Sequence, residues 1–257
     1  MKNSLIGLLL TFQFFTSIPV RKQLTMNRQT VTSMYAVMPV IGVLMGCTNL
    51  LIVTLNESYF HFSILFIAII LVIANIVMTG GLHLDGWIDL GDAFFSYQDQ
   101  KRRLEILEDS RVGAFGAISL VVLLLLKVAF FYELFNRGLV NQLVYFVVIP
   151  FLGRLSILIY FLTMKNVKQT GLAAYFKSQV NDKQVWIAIV LYTVILVAVF
   201  TYFSLPLVFL LFLSMIVVVA IYRIWTIKNF GGMTGDLMGA LYEGMELILW
   251  GILLLFI

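Results

Sequence analysis

The chain is poor in cysteine and in charged residues. It has one cysteine, Cys47, which lies in an apolar run, so no internal disulfide can form and cysteine use does not reveal the compartment. Asp, Glu, Lys and Arg make up only 12% of its 257 residues, whereas a soluble domain carries about 25%. It also lacks internal repeats, low-complexity tracts and any polar block long enough to fold alone. A soluble globular protein is therefore excluded.

Apolar residues are abundant instead, at 61% of the chain. Their even spread along the sequence predicts one integral membrane domain over residues 1–257. The formal net charge of +4 is modest. In a membrane protein such an excess reflects cytoplasmic loops and not nucleic-acid binding.

The apolar runs predict an all-α, polytopic bundle of about seven or eight transmembrane helices, since a span needs about 20 apolar residues. The first run is short and could be re-entrant; it has no small-residue cleavage site, so we interpret it as a retained helix. The sixth and seventh meet at Pro206, either in a tight turn or within one broken helix. The candidate spans are residues 4–20, 31–55, 60–79, 112–132, 139–163, 185–204, 207–222 and 237–257.

Basic residues are concentrated in alternate loops, while the remaining loops carry little beyond Arg137. The positive-inside rule places the basic loops, and the acidic segment 80–111 among them, in the cytoplasm, with both termini outside. In residues 99–110, Leu104 and Leu107 lie among charges at helical spacing and predict a short amphipathic helix at the membrane surface. The basic residues are Arg21, Lys22, Arg28, Lys101, Arg102, Arg103, Arg111, Lys165, Lys168, Lys177, Lys183, Arg223 and Lys228.

Three aspartates follow the third apolar run. Asp85, Asp89 and Asp92 are spaced by four and three residues, which places them on one face of a helix just after His83. Their mutual repulsion would be relieved by Mg²⁺, which prefers oxygen ligands. Nearby glycines leave room for a phosphate to approach the backbone. The alternative is a solvated face at the membrane edge, but such faces mix Lys with Asp and this one has no Lys.

A second polar block, residues 108–116, leads into the fourth span. Its arginine, Arg111, and its glycines suit a phosphate site at a helix N-terminus. The alternative, equally open on spacing alone, is that Asp109 or Ser110 caps the helix and that Arg111 extends toward solvent.

A third block, residues 228–243, precedes and enters the last span. Asp236 and Glu243 share a helix face, and carboxylates within a membrane are functional candidates by default. The alternative is that Asp236 caps the helix and that Glu243 pairs with Lys127 or Arg154 as structural support.

Together these blocks resemble the cobalamin synthase family, the adenosylcobinamide-GDP ribazoletransferases of the bacterial inner membrane. The matching stretches occur in the family's order over nearly the whole chain. Residues 88–92 are less alanine-rich than in many members, but all three acids remain. The stretches are FQFFTSIP at 12–19, GGLHLDG at 80–86 with Asp89 and Asp92, ILEDSRVGAFG at 106–116, Gly153 with Arg154, and GGMTGDLMGA at 231–240.

The resemblance implies a Mg²⁺-dependent transfer in which a ribose hydroxyl of α-ribazole, or of its 5′-phosphate, displaces GMP from adenosylcobinamide-GDP. Either Asp236 or His83 would be the general base. The resemblance leaves open a homo-oligomer or an assembly with other corrinoid enzymes, and implies no nucleic-acid partner. Asp85, Asp89, Asp92 and Asp236 would hold the metal, Asp85 being catalytic as well, and the phosphates would be bound by Arg111, Arg154, Gly81, Gly86, Gly232, Thr234 and Ser110.

Two alternatives remain from the residues themselves. A CDP-alcohol phosphotransferase also uses aspartates at a membrane surface, but its acids are spaced further apart than those after Asp85. A cation-coupled transporter is typically built from two related halves with broken helices, and the sequence shows a single acidic centre and no repeat.

Overall fold

The computed structural model describes residues 2–138 and 143–257, which form helices joined by short connections, with no strand among them. Apolar runs form the long helices, and polar or glycine-containing segments end them. The helices are α1 (Lys2–Phe15), α2 (Arg28–Leu55, continued by a π-helical turn Asn56–Phe60), α3 (Ile64–Thr79), α4 (Leu82–Phe95), α5 (Gln100–Ile106), α6 (Ala114–Asn136), α7 (Tyr145–Thr163), α8 (Leu172–Gln179), α9 (Asp182–Tyr202), α10 (Pro206–Phe230) and α11 (Gly235–Phe256).

Six of the described helices are long and apolar enough to cross a membrane, and a seventh span is obtained if α3 and α4 count as one. The polytopic all-α architecture is therefore confirmed. The first predicted span is the shorter helix α1, and the sixth and seventh are separate helices, because Pro206 begins α10. The third run was predicted to begin at residue 60, but α3 begins at Ile64 after a turn. Residues 139–142 of the fifth predicted span lie outside the described residues.

Helix α7 lies at the centre of the bundle. In its most apolar 18-residue window 83% of the residues are buried, against 17% for α6 and α9, which expose most of their surface to the surroundings. Gly42 and Gly46 of α2 allow the backbone of α7 to approach, since a Cβ at either position would overlap α7 main-chain atoms. Close packing through small residues is typical of helix pairs in membranes.

A sharp turn between α3 and α4 positions the acidic residues. Gly80 and Gly81 take left-handed conformations, with φ of +63° and +77°, which glycine adopts without a Cβ penalty. The two helices consequently meet at 96°. Helix α4 packs between α6 and α11, and Gly86 lets the Asp236 backbone come so close that a Cβ would overlap its carbonyl oxygen.

The basic connections meet at one end of the bundle. Asn166 pairs with Met233 in an isolated parallel bridge, and Lys168 forms an ion pair with Glu108 at 2.8 Å. Tyr175 donates a hydrogen bond to the Met26 carbonyl at 2.9 Å. The segments expected to share one side of the membrane are therefore joined there by direct contacts.

Candidate active site

The three aspartates of the acidic block lie on helix α4, as their spacing predicted, but Asp92 has partners that the other two lack. Its oxygens accept hydrogen bonds from the Gly113 and Gly116 amides, both at 2.7 Å. These amides belong to the first turn of α6, whose N-cap, Gly113, offers no side chain. Asp92 thus supplies the cap from another helix. The expectation that Asp109 or Ser110 caps α6 was wrong, because the helix begins further along the chain.

Asp85 and Asp236 face one another across the contact of α4 with α11 and line the same cavity. Thr234, and not Asp236, is the N-cap of α11, since its hydroxyl accepts a hydrogen bond from the Leu237 amide at 3.2 Å. The Asp236 carboxylate is thereby left free of the capping role. Its only side-chain partner among the described residues is the Thr234 hydroxyl, at 3.5 Å.

The carboxylates of Asp85, Asp89 and Asp236, hereafter the acidic site, form no ion pair within the described part of the chain. In their present positions, no group of three or more His, Cys, Asp or Glu side chains among the described residues is arranged to hold a metal ion. Their chemistry nevertheless fits Mg²⁺, because unpaired carboxylate oxygens are the ligands that this ion prefers.

His83 lines the same cavity as Asp85 and Asp236 and contacts a buried arginine. Its Nε2 faces the Nη1 of Arg154, and a guanidinium can only donate, so Nε2 accepts and the proton of a neutral ring resides on Nδ1. Arg154 is fully buried, with its guanidinium 4.3 Å from the centre of the Tyr242 ring. Arg154 therefore contacts histidine and not the open cavity where a phosphate was expected.

A second set of charges lies deeper in the bundle, on α6 and α11. Lys127 pairs with Glu243 and also with Glu246, at 3.1 Å. Tyr242 donates to Glu246 at 2.6 Å. We call these residues, with Arg154, the buried charge network. The alternative in which Glu243 pairs with Lys127 is confirmed, whereas no local pattern in the sequence indicated the hydrogen bond from Tyr242 to Glu246 or the contact of His83 with Arg154.

The remaining predicted phosphate-binding residues lie apart from one another. The Arg111 side chain is 86% exposed and bonds Asp109 at 2.6 Å, which lowers the pKa of Asp109 to about 2. Neither Arg111 nor Ser110 lines the cavities that contain Asp236. Gly81 forms part of the turn between α3 and α4. Gly232 packs against the Lys165 carbonyl, so the connection after α7 and the connection before α11 lie in contact.

Lys168 is a residue that sequence reasoning counted only as loop charge. It lies with Asn166, Thr170, Thr234 and Asp236 around a recess of about 490 Å³, the polar cavity. It is the one cationic residue of the described lining of this recess, and its ammonium pairs with Glu108 at 2.8 Å. Nothing in the local sequence pattern distinguishes it from the other loop lysines.

Comparison with known proteins gives matches over almost the full length. The model of the cobalamin-5-phosphate synthase family matches residues 7–254. The chain is 36% identical to the adenosylcobinamide-GDP ribazoletransferase of Geobacillus kaustophilus, over 98% of this chain and 97% of that one. It is 33% identical to the protein of that name from Clostridium botulinum strain Okra, over 99% and 100%, and 34% identical to that of Halalkalibacterium halodurans, over 98% and 97%. No solved structure matches significantly.

Proposed function

The chain belongs to the cobalamin-5-phosphate synthase family, and we propose that it is an adenosylcobinamide-GDP ribazoletransferase. The observation that carries the proposal is the unpaired acidic site, placed beside two cavities in a chain that matches the family over residues 7–254. The same match argues against a CDP-alcohol phosphotransferase and against a cation-coupled transporter.

In the proposed reaction, a ribose hydroxyl of α-ribazole, or of its 5′-phosphate, attacks the phosphorus attached to cobinamide. A new O–P bond forms, the O–P bond to GMP breaks, and GMP leaves with the bonding electrons. The hydroxyl proton goes to an oxygen of Asp236, which lines both cavities. We favour Asp236 over His83 as the base because the His83 Nε2 already accepts from Arg154.

Asp85 and Asp89 would hold Mg²⁺, with Asp236 beside them. When bound, the ion offsets negative charge on the phosphate oxygens and on the leaving GMP. Lys168 adds a positive charge on the polar side of Asp236. Asp92 keeps α4 against α6 and so fixes the direction of the other two carboxylates.

We further propose that the acidic site faces the cytoplasm of a bacterial inner membrane. The support is the convergence of the basic connections on the end of the bundle that carries the site, through contacts such as Lys168 with Glu108. Corrinoid substrates are large and amphipathic, which suits an enzyme embedded in a membrane.

GMP release tests the proposal directly. Purified protein in liposomes would be given adenosylcobinamide-GDP and α-ribazole, with Mg²⁺ or with EDTA. We expect GMP only when both substrates and Mg²⁺ are present. If folded protein releases no GMP under any condition, the proposed function is refuted. If GMP forms equally well with EDTA, only the requirement for Mg²⁺ is refuted.

A further inference from the structure

A cavity of about 780 Å³ opens beside the acidic site, between α1, α2, α4, α7, α8 and α11. Its lining includes Asp85 and Asp236. Four aromatic rings also line it, beside aliphatic side chains, and we call it the aromatic cavity. The rings are those of Phe14, Phe15, Tyr35 and Phe176.

The aromatic rings hold one another in fixed orientations. Phe14 meets Phe176 edge to face at 5.2 Å between ring centres, and Phe15 meets Tyr35 in the same way at 6.3 Å. Behind the cavity wall, Tyr35 stacks on Phe161 at 4.2 Å. Edge-to-face pairs of this kind are favourable and make a preformed, flat-sided space.

The Tyr35 hydroxyl has no hydrogen-bond partner among the described residues, although only 1% of the residue is exposed. By contrast, the hydroxyls of Tyr160, Tyr192 and Tyr242 donate to a threonine, a carbonyl and a carboxylate. The hydroxyl oxygen is not one of the described side-chain atoms that are sealed off without a partner, so it remains accessible from the cavity. A polar atom of a ligand in the cavity would supply the hydrogen bond that this hydroxyl lacks.

Asp236 lines both this cavity and the polar cavity that contains Lys168, and the two also share Leu172, Ala173 and Gly235. The rest of their linings differ in chemistry: aromatic rings in one cavity, an ammonium and small polar groups in the other. The two substrates of the proposed reaction differ in the same way, since one is a nucleoside with a flat, largely apolar base and the other carries a diphosphate.

We propose that the aromatic cavity binds the base of the α-ribazole substrate, with the Tyr35 hydroxyl bonded to a polar atom of that nucleoside. The inference rests on the proposed function and adds a site for one substrate to it. Bound in this way, the ribose extends toward Asp85 and Asp236, where its hydroxyl meets the proton acceptor. The diphosphate approaches from the side of Lys168.

Steady-state kinetics with both substrates varied tests this assignment. Tyr35→Phe should raise the KM for α-ribazole about tenfold, the effect of one lost hydrogen bond, and leave the KM for adenosylcobinamide-GDP within about twofold. Phe176→Ala should also raise the KM for α-ribazole, because it removes one aromatic ring from the cavity lining. Lys168→Gln should instead raise the KM for adenosylcobinamide-GDP and leave the KM for α-ribazole within about twofold. Free benzimidazole should compete with α-ribazole and not with the diphosphate substrate.

Tyr192→Phe is the matched control, because its hydroxyl bonds the Ala36 carbonyl, next to Tyr35 in α2 but outside the cavity lining. It should change neither KM. If Tyr35→Phe and Phe176→Ala leave the α-ribazole KM unchanged, or raise that of the diphosphate substrate, the assignment is wrong. Wild-type protein that releases no GMP would instead refute the proposed function, so the two failures are distinguishable.

Discussion

Two groups of carboxylates lie within a few helical turns of each other, and they differ in how they are compensated. Glu243 and Glu246 are buried and share the ammonium of Lys127. Asp85 and Asp89 lie nearer the surface of the bundle and have no cation among the described residues. A buried charge must be paired to be tolerated, whereas carboxylates left unpaired and accessible remain available to a ligand. We therefore assign a structural role to Glu243 and Glu246, and a role in the reaction to Asp85 and Asp89.

The largest effect on activity should come from removing one unpaired carboxylate. Asp85→Asn keeps the shape of the side chain and loses its charge, so we expect GMP release to fall by roughly 100-fold or more. Membrane insertion and thermal unfolding should remain those of the wild type. Asp182→Asn, at the start of α9 and far along the chain from the site, serves as the control and should retain activity. Normal turnover by Asp85→Asn would remove this residue from the active site.

The largest effect on stability should come from the paired group. Lys127→Met leaves two buried carboxylates without their cation, which we expect to cost about 3–5 kcal/mol. The measurement is the unfolding midpoint in detergent. Adding Glu243→Gln and Glu246→Gln to Lys127→Met should recover much of the loss, since no charge is then left unpaired. A Lys127→Met protein as stable as the wild type would contradict the structural role.

Asp92 distinguishes the two roles within helix α4. Because it caps α6, Asp92→Ala should destabilise the protein by about 1–2 kcal/mol, the usual cost of a lost cap. Its effect on GMP release at a temperature where the variant is folded should be smaller than that of Asp85→Asn. A variant of wild-type stability that loses Mg²⁺ affinity as Asp85→Asn does would show that Asp92 binds the metal directly.

The smallest effect is expected for Glu246→Gln. The amide can still accept from Tyr242, and Glu243 still pairs with Lys127. We expect GMP release within a few-fold of the wild type, measured beside Asp85→Asn in the same membranes. An inactive Glu246→Gln protein of normal stability would show that the chemistry takes place deeper in the bundle.

Local patterns in the sequence predicted the parts of the site that depend on local geometry. The spacing of Asp85, Asp89 and Asp92 gave a common helix, and the leucines of residues 99–110 indicated the helix now seen as α5. Pairing of Glu243 with Lys127 or Arg154 was the alternative to a functional role for Glu243, and the structure shows the pair with Lys127. The helix predictions succeeded because periodicity is a property of a short segment, and the ion pair followed from the rule that a buried charge needs a partner.

The remaining features arise from contacts between distant segments. Asp92 caps a helix that begins 22 residues later, and no pattern within α4 separates it from Asp89. The aromatic cavity combines residues of α1, α2 and α8, each of which looks like ordinary core in its own helix. Their roles follow only from the packing that brings the helices together.

The most direct test of the account is the Mg²⁺ concentration that gives half-maximal GMP release. It should be compared among wild type, Asp89→Asn and Glu246→Gln in liposomes of one composition. We predict that Asp89→Asn requires at least about tenfold more Mg²⁺, while Glu246→Gln requires the same concentration as the wild type. Equal requirements for Asp89→Asn and wild type, or a raised requirement for Glu246→Gln alone, would contradict the division between unpaired and paired carboxylates.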